Sequence, residues 1–246
     1  YLIETPILFT SLETSELIKY ASNAFLAVKI SYINQIADLC EAVGANVHDV
    51  AKGMGLDNRI GSKFLHPGPG YGGSCFPNDT LALVKTAEDH HQTISIVESV
   101  VAYNNARKTA MAQRVITSMG DKVGGRRIAI LGRAFKPETD DMRDSPSLDI
   151  IDALTKAGAV LRAYDPKATD EARHILPEGV TFCDSATDCL NGTDAAVIVT
   201  EWNEFRALTP AQFAAAMRGR ILVDLRNVYE PDAMQDAGFT YLSIGR

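Results

Sequence analysis

Positive charge is scarce in this chain. Its 246 residues include 24 Lys and Arg against 31 Asp and Glu, which gives a formal net charge of −7. Nucleic acids and anionic membrane surfaces attract proteins through concentrated positive charge. The balance therefore argues against either of them as a principal partner, although it leaves room for a local cationic pocket that binds a small anion.

Long apolar runs and targeting signals are also missing. No stretch reaches the roughly 20 apolar residues that a membrane-spanning helix needs, and the chain does not open with a basic segment followed by an apolar one. There is no low-complexity tract, and hydrophobic residues make up 46% of the chain, as is usual for globular proteins. The sequence predicts a cytoplasmic globular protein without a membrane segment.

Cysteines are few and widely spaced. The four thiols, Cys40, Cys75, Cys183 and Cys189, show neither the CxxC spacing of a metal site nor the density of a disulfide scaffold. Three of them lie in apolar helical or strand-like segments, so we interpret them as core residues, and no metal site is expected. Cys75 differs because it lies in "GPGYGGSCFPND", residues 68–79, a segment rich in glycine and proline.

The chain divides into two units with a boundary near residue 120. Residues 13–119 show helical periodicity, with long helices predicted over 15–43 and about 93–119. Residues 120–246 alternate short apolar strands with amphipathic helices. Strands of this kind, joined by helix-length crossovers, predict an α/β fold with a doubly wound parallel sheet.

The second unit lacks the GxGxxG turn that brings a backbone close to a pyrophosphate. Its first strand is followed by "LGRAFKPETDDMRDSP" instead. Asp165 follows the second strand, where a dinucleotide fold places a ribose-binding acid, but before Pro166 it also suits a turn. Lys136, Arg143 and Arg226 follow strand ends, which is where open α/β sheets bind ligands, so we expect an anionic ligand there.

Cys75 is a candidate nucleophile. It precedes a helix predicted to begin near Asp79, and the N-terminus of a helix favours the thiolate form of a cysteine. Glycines around the thiol would let a substrate approach closely. The alternative is structural, with Asp79 as a helix cap and the glycines as turn formers.

The first long helix carries a second candidate group. Lys19 and Asn23 are spaced i and i+4, so they share one face and could donate hydrogen bonds to a developing oxyanion. That face lies away from an apolar stripe formed by Leu17, Ala21, Ala24 and Val28. From spacing alone, a solvated helix face is the favoured explanation of the pair.

Five segments together resemble the nucleotide-sugar 6-dehydrogenases of the UDP-glucose/GDP-mannose dehydrogenase family. They are "ELIKYASNAFLAVKISYINQIADLCEAVGANV", "GPGYGGSCFPND", "AILGRAFKPETDDMRDSPS", "YDP" and "TEWNEF", and they follow one another through nearly the whole chain. The resemblance implies a helical dimerisation domain with a catalytic cysteine loop at 13–119 and a UDP-binding α/β domain at 120–246. Residues 1–12 would be the remnant of a missing N-terminal NAD-binding domain, so the chain alone is expected to be inactive.

The resemblance implies a reaction and four catalytic residues. The family oxidises UDP-glucose to UDP-glucuronate in two hydride transfers to NAD. Cys75 would form a thiohemiacetal that becomes a thioester, and Lys19 and Asn23 would stabilise the oxyanion. Asp79 would help to activate the hydrolytic water.

The resemblance also implies the residues that bind substrate and cofactor. Arg143 would lie near NAD, and Arg59 would reach the substrate of the neighbouring subunit in a homodimer formed through the long central helix. The sequence departs from the family at Asn78, where lysine is usual, and at His66. The expected substrate-binding residues are Arg59, Tyr71, Gly72, Phe135, Lys136 and Arg226.

Other interpretations stay open at this point. The same chemistry could act on GDP-mannose or a UDP-N-acetylhexosamine, although the "SCFP" form of the loop favours UDP-glucose. The isolated chain could be a non-catalytic module that binds a nucleotide sugar and dimerises. An unrelated thiol hydrolase would need a general base near Cys75, and no histidine has a sequence context that identifies it as that base.

Overall fold

The computed structural model describes residues 7–246. Residues 1–6, half of the segment expected to be a domain remnant, lie outside the described residues. Four helices come first along the described chain. They are α1 (Leu12–Val43), α2 (Val47–Gly55), α3 (Cys75–Asp89) and α4 (Ser95–Ser118).

Helix α1 begins earlier than its periodicity predicts. The Ser11 hydroxyl accepts a hydrogen bond from the Thr14 N–H, so this N-cap moves the start of the helix to Leu12. The helix ends as expected at Gly44, whose φ of 73° is a left-handed conformation that glycine adopts without steric cost. Its buried face is made mostly of small side chains, which allows α3 and α4 to pack closely against it.

Six strands and six further helices follow. The strands are β1 (Arg127–Leu131), β2 (Val160–Tyr164), β3 (Thr181–Phe182), β4 (Ala195–Ile198), β5 (Ile221–Asp224) and β6 (Thr240–Leu242). The helices are α5 (Pro146–Lys156), α6 (Thr169–Ile175), α7 (Ala186–Leu190), α8 (Asn203–Arg206), α9 (Pro210–Ala216) and α10 (Pro231–Asp236).

The strands form one parallel sheet in the order β3-β2-β1-β4-β5-β6. This confirms the predicted α/β class with a doubly wound sheet. Leu131, the last residue of β1, pairs with Tyr164 of β2 and with Ile198 of β4. The order reverses between β1 and β4, so the loops that leave these two strands diverge and open a crevice at their carboxyl ends.

Both faces of the sheet are covered. Ile128 and Ile130 of β1 point into a core shared with α5 and with helices α1, α2 and α4, whereas Ala129 and Leu131 point into a core shared with α6 to α10. The first core is continuous from the helical segment to the sheet, which places the segment between α2 and α3 against the carboxyl ends of the strands. No helix within residues 7–246 is both long and apolar enough to span a membrane.

Candidate active site

Cys75 is the first residue of α3 and the one exposed thiol of the four. The helix begins four residues before the predicted start because Pro77 lies in the first turn, where its missing N–H leaves no hydrogen bond unmade. The Ser74 hydroxyl lies 3.8 Å from the Cys75 sulfur. Asp79 is in the second turn, so the alternative that made it a helix cap is wrong.

Lys19 and Asn23 converge on Asp79, where α1 packs against α3. The Lys19 ammonium donates to Asp79 Oδ1 at 3.2 Å, and the Asn23 amide donates to Oδ2 at 2.5 Å. The Asp79 hydrogen bond raises the pKa of Lys19 above its ordinary value, and attraction to Asp79 and, more weakly, to Cys75 adds to the rise. The pair is therefore part of a cluster beside the thiol, not a purely solvated helix face.

Three buried side chains hold the main chain of the cysteine loop from below. The Gly68 N–H donates to Asn34 Oδ1 at 2.8 Å, and Arg107 Nε donates to the Gly68 carbonyl at 2.7 Å. Asn104 accepts from the Tyr71 N–H at 2.9 Å and donates to the Tyr71 carbonyl at 3.1 Å. The sequence analysis did not select these three residues. Each is a polar residue at a helix position that faces the core, and this feature could have indicated them.

The loop is held from the other side by the segment after β1. The Gly73 N–H donates to the Arg143 carbonyl at 2.7 Å. Gly73 has a φ of 85°, and a Cβ there would lie 2.7 Å from the ring of Phe135. A Cβ on Gly72 would collide with the Asp144 carbonyl, so both glycines are needed for this close approach.

A cleft of about 400 Å³ lies between the loop and the carboxyl ends of β1, β4 and β5. Its lining includes Tyr71, Gly72, Phe135, Lys136 and Arg226, so the structure brings together five of the six expected substrate-binding residues. Its size falls within the usual range for a small-molecule site. The lining also includes residues that sequence reasoning did not select, namely Ile30, Lys63, Phe64, Gly68, Gly70, Phe76 and Glu201, together with His66.

Arg226 braces the floor of the cleft. Its Nε donates to the Val199 carbonyl at 2.8 Å and its Nη2 donates to the Phe135 carbonyl at 3.2 Å, which ties the ends of β4 and β5 to the loop after β1. Arg226 Nε also lies 3.1 Å from Glu201 Oε2. The guanidinium is thus fixed in place before any ligand arrives.

An aromatic wall faces these charges. The rings of Phe64 and Tyr71 each lie 6.1 Å from the ring of Phe76, measured between centroids. Phe64 has a φ of 64°, which is rare for a bulky side chain, and such backbone strain is concentrated at functional sites. Lys63 and Lys136 add positive charge to the cleft lining. A positive φ at a phenylalanine cannot be predicted from a sequence pattern.

Arg59 and Arg143 lie outside the cleft. Arg59 is 89% exposed, and its guanidinium is held by Asp57 at 2.6 Å. Arg143 pairs with Asp141 at 2.9 Å. The Asp141 hydrogen bond raises the pKa of Arg143 above its ordinary value. Because the Arg143 carbonyl accepts from the Gly73 N–H, this residue lies against the cysteine loop.

At the carboxyl end of β1 the chain is closely packed, and Asp165 is not available to a ribose. Gly132 has no room for a Cβ, which would lie 2.7 Å from the Thr200 nitrogen. The Asp165 carboxylate is surrounded by five donors and has none of its oxygens left for a ribose. These donors are the N–H groups of Arg133, Ala134, Lys167 and Ala168 and the Trp202 indole.

The described residues also offer no metal site. No group of three or more His, Cys, Asp and Glu side chains in residues 7–246 is arranged to hold a metal ion. The arrangement as a whole therefore offers an exposed thiol, two hydrogen-bond donors fixed by a carboxylate, and a cationic cleft with an aromatic wall.

Two family models match this chain. They are the central domain of the UDP-glucose/GDP-mannose dehydrogenase family, over residues 13–106, and the UDP binding domain of the same family, over residues 129–231.

Curated relatives match over nearly all of the chain. The UDP-glucose 6-dehydrogenase of Rhizobium meliloti (strain 1021) is 56% identical over 246 residues, which are 100% of this chain and 56% of the relative. UDP-glucose 6-dehydrogenase TuaD of Bacillus subtilis (strain 168) is 45% identical over 241 residues, which are 98% of this chain and 52% of the relative. The chain thus spans about half the length of the curated relatives it matches.

Solved structures share the fold. A UDP-glucose dehydrogenase from the archaeon Pyrobaculum islandicum superimposes with a TM-score of 0.85 at 33% identity, over 97% of this chain and 52% of that structure. A UDP-D-ManNAc dehydrogenase from Pyrococcus horikoshii gives a TM-score of 0.84 at 27% identity, over 99% of this chain and 55% of that structure.

Proposed function

Because the chain belongs to the UDP-glucose/GDP-mannose dehydrogenase family and carries its central and UDP-binding domains, we propose that it is part of an NAD-dependent UDP-glucose 6-dehydrogenase. The observation that carries the proposal is that one loop joins an exposed thiol to a cationic cleft. Gly72 and Phe76 line the cleft, and Cys75 lies between them in the chain.

The cleft is the proposed site for the UDP part of the substrate. Lys136 and Arg226 would meet the diphosphate, since cationic donors bind phosphate oxygens strongly. The strained Phe64 offers a flat apolar face to the base, and Tyr71 and Gly72 lead from the nucleotide toward the thiol. The glucose would then extend toward Cys75.

Cys75 is proposed to serve the covalent steps. The exposed Cys75 thiol loses its proton to water, its sulfur adds to the carbon of the sugar aldehyde, and the carbonyl oxygen becomes the oxyanion of a thiohemiacetal. After the second oxidation the same sulfur holds a thioester. Water attacks that carbon, the C–S bond breaks, and the carboxylate and the free thiol are formed.

Lys19, Asn23 and Asp79 are proposed to act as one group. The Asp79 carboxylate uses one of the three ammonium donors of Lys19 and orients the Asn23 amide. The remaining donors can then face the oxyanion without reorganising. During hydrolysis, the same carboxylate is the proposed acceptor for a proton of the attacking water.

NAD is proposed to bind outside this chain. The segment after β1 lacks the GxGxxG pattern, and both oxygens of Asp165 already accept hydrogen bonds from the protein. NAD, when bound, supplies the hydride acceptor for both oxidations. Arg143 is the residue that we expect nearest to it, because this arginine is exposed and its carbonyl is hydrogen-bonded to the cysteine loop at Gly73. On this basis the chain alone is expected to bind UDP and to lack turnover.

A homodimer through α1 is also proposed, with a domain boundary near residue 120. Several large apolar side chains along α1 are exposed to solvent, among them Leu17, Phe25, Tyr32 and Leu39. A continuous apolar surface of this kind usually marks a protein interface. The exposed Arg59, held by Asp57, suits a residue that reaches into the neighbouring subunit. A cytoplasmic location stays a prediction.

The test is an assay of the full-length protein with UDP-glucose and NAD. We expect two NADH for each UDP-glucose, and Cys75→Ala should lower the rate of acid formation by about a thousandfold or more. Cys183→Ala, at a buried thiol, is the control and should keep the wild-type rate. Unchanged turnover in Cys75→Ala would overturn the covalent mechanism.

A substrate panel separates the alternatives. Faster oxidation of GDP-mannose or a UDP-N-acetylhexosamine than of UDP-glucose would change the substrate but not the chemistry. Tight UDP binding without oxidation of any of these sugars would identify a binding and dimerisation module instead.

A further inference from the structure

Asn104 of α4 makes a paired contact with the main chain of the cysteine loop. Its amide oxygen accepts from the Tyr71 N–H at 2.9 Å, and its amide nitrogen donates to the Tyr71 carbonyl at 3.1 Å. The residue is only 4% exposed, so both partners would be left unsatisfied away from water if the side chain were removed. The pair fixes the peptide on both sides of Tyr71.

Gly70 permits this contact. It has a φ of 120°, and a Cβ there would lie 2.9 Å from the amide oxygen of Asn104. The chain can therefore approach Asn104 closely only because this position has no side chain. From Tyr71 the chain runs directly to Cys75, with the Gly73 N–H bonded to the Arg143 carbonyl on the way.

We propose that Asn104 is a positioning residue that sets where Cys75 lies relative to the cleft, acting through the main chain of Tyr71. The inference rests on the proposed function. Asn104 does not line the cleft and shows no hydrogen bond to the cluster around Asp79, so its effect has to pass through the loop. Without it, the chain between Gly68, held by Asn34, and the start of α3 would contain three glycines and be held only at the Gly73 N–H.

The first experiment compares Asn104→Ala with wild type in the full-length enzyme. We expect kcat to fall about a hundredfold, which is the scale of a misplaced reacting group. The Kd of UDP should change by less than about threefold, because Lys136 and Arg226, the residues proposed to bind the diphosphate, lie in the segments after β1 and β5 and not in the loop. The control is Asn105→Ala, an exposed amide one residue further along α4, which should behave as wild type.

A local readout independent of catalysis is hydrogen exchange. The peptide that covers residues 68–75 should exchange about tenfold faster in Asn104→Ala, since it loses a buried main-chain hydrogen bond. The buried thiols of Cys40, Cys183 and Cys189 report on the global fold. A folded variant keeps Cys40, Cys183 and Cys189 unreactive toward Ellman's reagent, as in wild type, whereas an unfolded variant exposes them.

Asn104→Asp gives a second test, because a general loss of packing would not produce the pH dependence expected for this variant. An ionised carboxyl accepts from the Tyr71 N–H but repels the Tyr71 carbonyl, whereas the neutral acid can donate and accept as the amide does. Burial favours the neutral acid, whereas the buried cations Arg107 and Lys108 on the same helix favour the carboxylate. The ratio of variant to wild-type kcat should therefore be about tenfold lower at alkaline pH, where the carboxyl is ionised, than at the acid end of the range in which the enzyme is stable, and the same ratio for Asn105→Asp should stay flat.

The outcomes separate the two proposals. A wild-type enzyme that oxidises no nucleotide sugar would overturn the proposed function. In that case the exchange rate of residues 68–75 and the Kd of UDP would still test whether Asn104 holds the loop in place. An active wild type with normal kcat in Asn104→Ala, or a flat pH ratio in Asn104→Asp, would overturn the positioning role alone.

Discussion

The Asp79 carboxylate of α3 and the Lys19 ammonium of α1 lie 3.2 Å apart, with 7% of the Asp79 side chain and 63% of the Lys19 side chain exposed. A surface ion pair has two mobile partners and little energetic value. Here the carboxylate is fixed in the packed face of a helix, so it determines where an exposed cation lies. The relationship suits a cation that has to meet a ligand at a set position.

Replacing Asp79 tests this relationship. In Asp79→Asn we expect kcat to fall about a hundredfold, because the donors for the oxyanion lose their orientation, while the KM for UDP-glucose changes little. The alkaline limb of its pH–rate profile should also begin at a lower pH than in wild type, because the hydrogen bond to Asp79 raises the pKa of Lys19.

The control for Asp79→Asn is Asp89→Asn on the same helix. Asp89 pairs with Lys85 at 2.7 Å, and both side chains are exposed. Steady-state kinetics should show wild-type values for this variant. An equal loss of kcat in both variants would contradict the special role of the buried carboxylate.

Asp194 predicts how stability depends on pH. Hydrogen bonds from Arg218, at 2.7 Å, and from the Arg127 N–H, at 2.8 Å, lower the pKa of Asp194 below its ordinary value. A carboxyl with a lowered folded-state pKa contributes stability above its unfolded value of about 3.9, and this contribution is lost as pH falls through the lower folded value.

Asp194→Asn should therefore destabilise the protein most at neutral pH. Urea titrations at pH 7 should show a loss of about 2 kcal/mol in the free energy of unfolding. The same titrations at more acidic pH should show a smaller loss, which approaches zero at the lowest pH. Asp152→Asn, which removes an exposed helix pair with Lys156, should change stability little at any pH. A constant difference between Asp194→Asn and wild type from pH 7 to pH 3 would contradict the assignment.

Much of the fold was predictable because its signals are local. Runs such as Ile128–Leu131 are apolar at every position, and both faces of their strand are buried, which is the signature of a covered parallel sheet. The end of α1 at Gly44 needed only one residue with freedom at positive φ. The resemblance supplied most of the candidate site, and five of the six residues expected to bind substrate lie together at the cleft.

The rest depends on contacts between distant segments. In the sequence, Asn34, Asn104 and Arg107 resemble ordinary polar helix residues. Only the folded structure shows that their side chains bond the main chain of the cysteine loop. The start of α3 was placed too late because a proline in the first turn resembles a loop residue. The stripe through Leu17 and Ala21 was periodic, yet Leu17 is 52% exposed, because periodicity cannot distinguish a buried helix face from an exposed apolar one.

Gly73 should tolerate no side chain. Gly73→Ala places a Cβ 2.7 Å from the Phe135 ring at a φ of 85°, so we expect a loss of about 3 kcal/mol in the free energy of unfolding and a large loss of kcat. Gly61→Ala is the matched control, with a φ of 68° and no atom within 4 Å of the added Cβ. It should cost only the backbone strain, about 1 kcal/mol. Equal losses in urea titrations of the two variants would show that the contact with Phe135 is unimportant.

The exposed apolar face of α1 predicts that the protein associates through this helix. Phe25 is 64% exposed there, and Phe25→Glu would bury an unpaired charge in the proposed dimer interface while leaving the core of the subunit intact. Sedimentation velocity should show a monomer. In urea titrations this monomer should unfold at the same urea concentration as wild type, once the effect of protein concentration on the stability of the wild-type dimer has been corrected for. Leu56→Glu, at a position 79% exposed outside α1, should stay dimeric. Because Arg59 is proposed to reach the neighbouring site, the Phe25→Glu monomer should also lose activity, and a fully active monomer would contradict that role of Arg59.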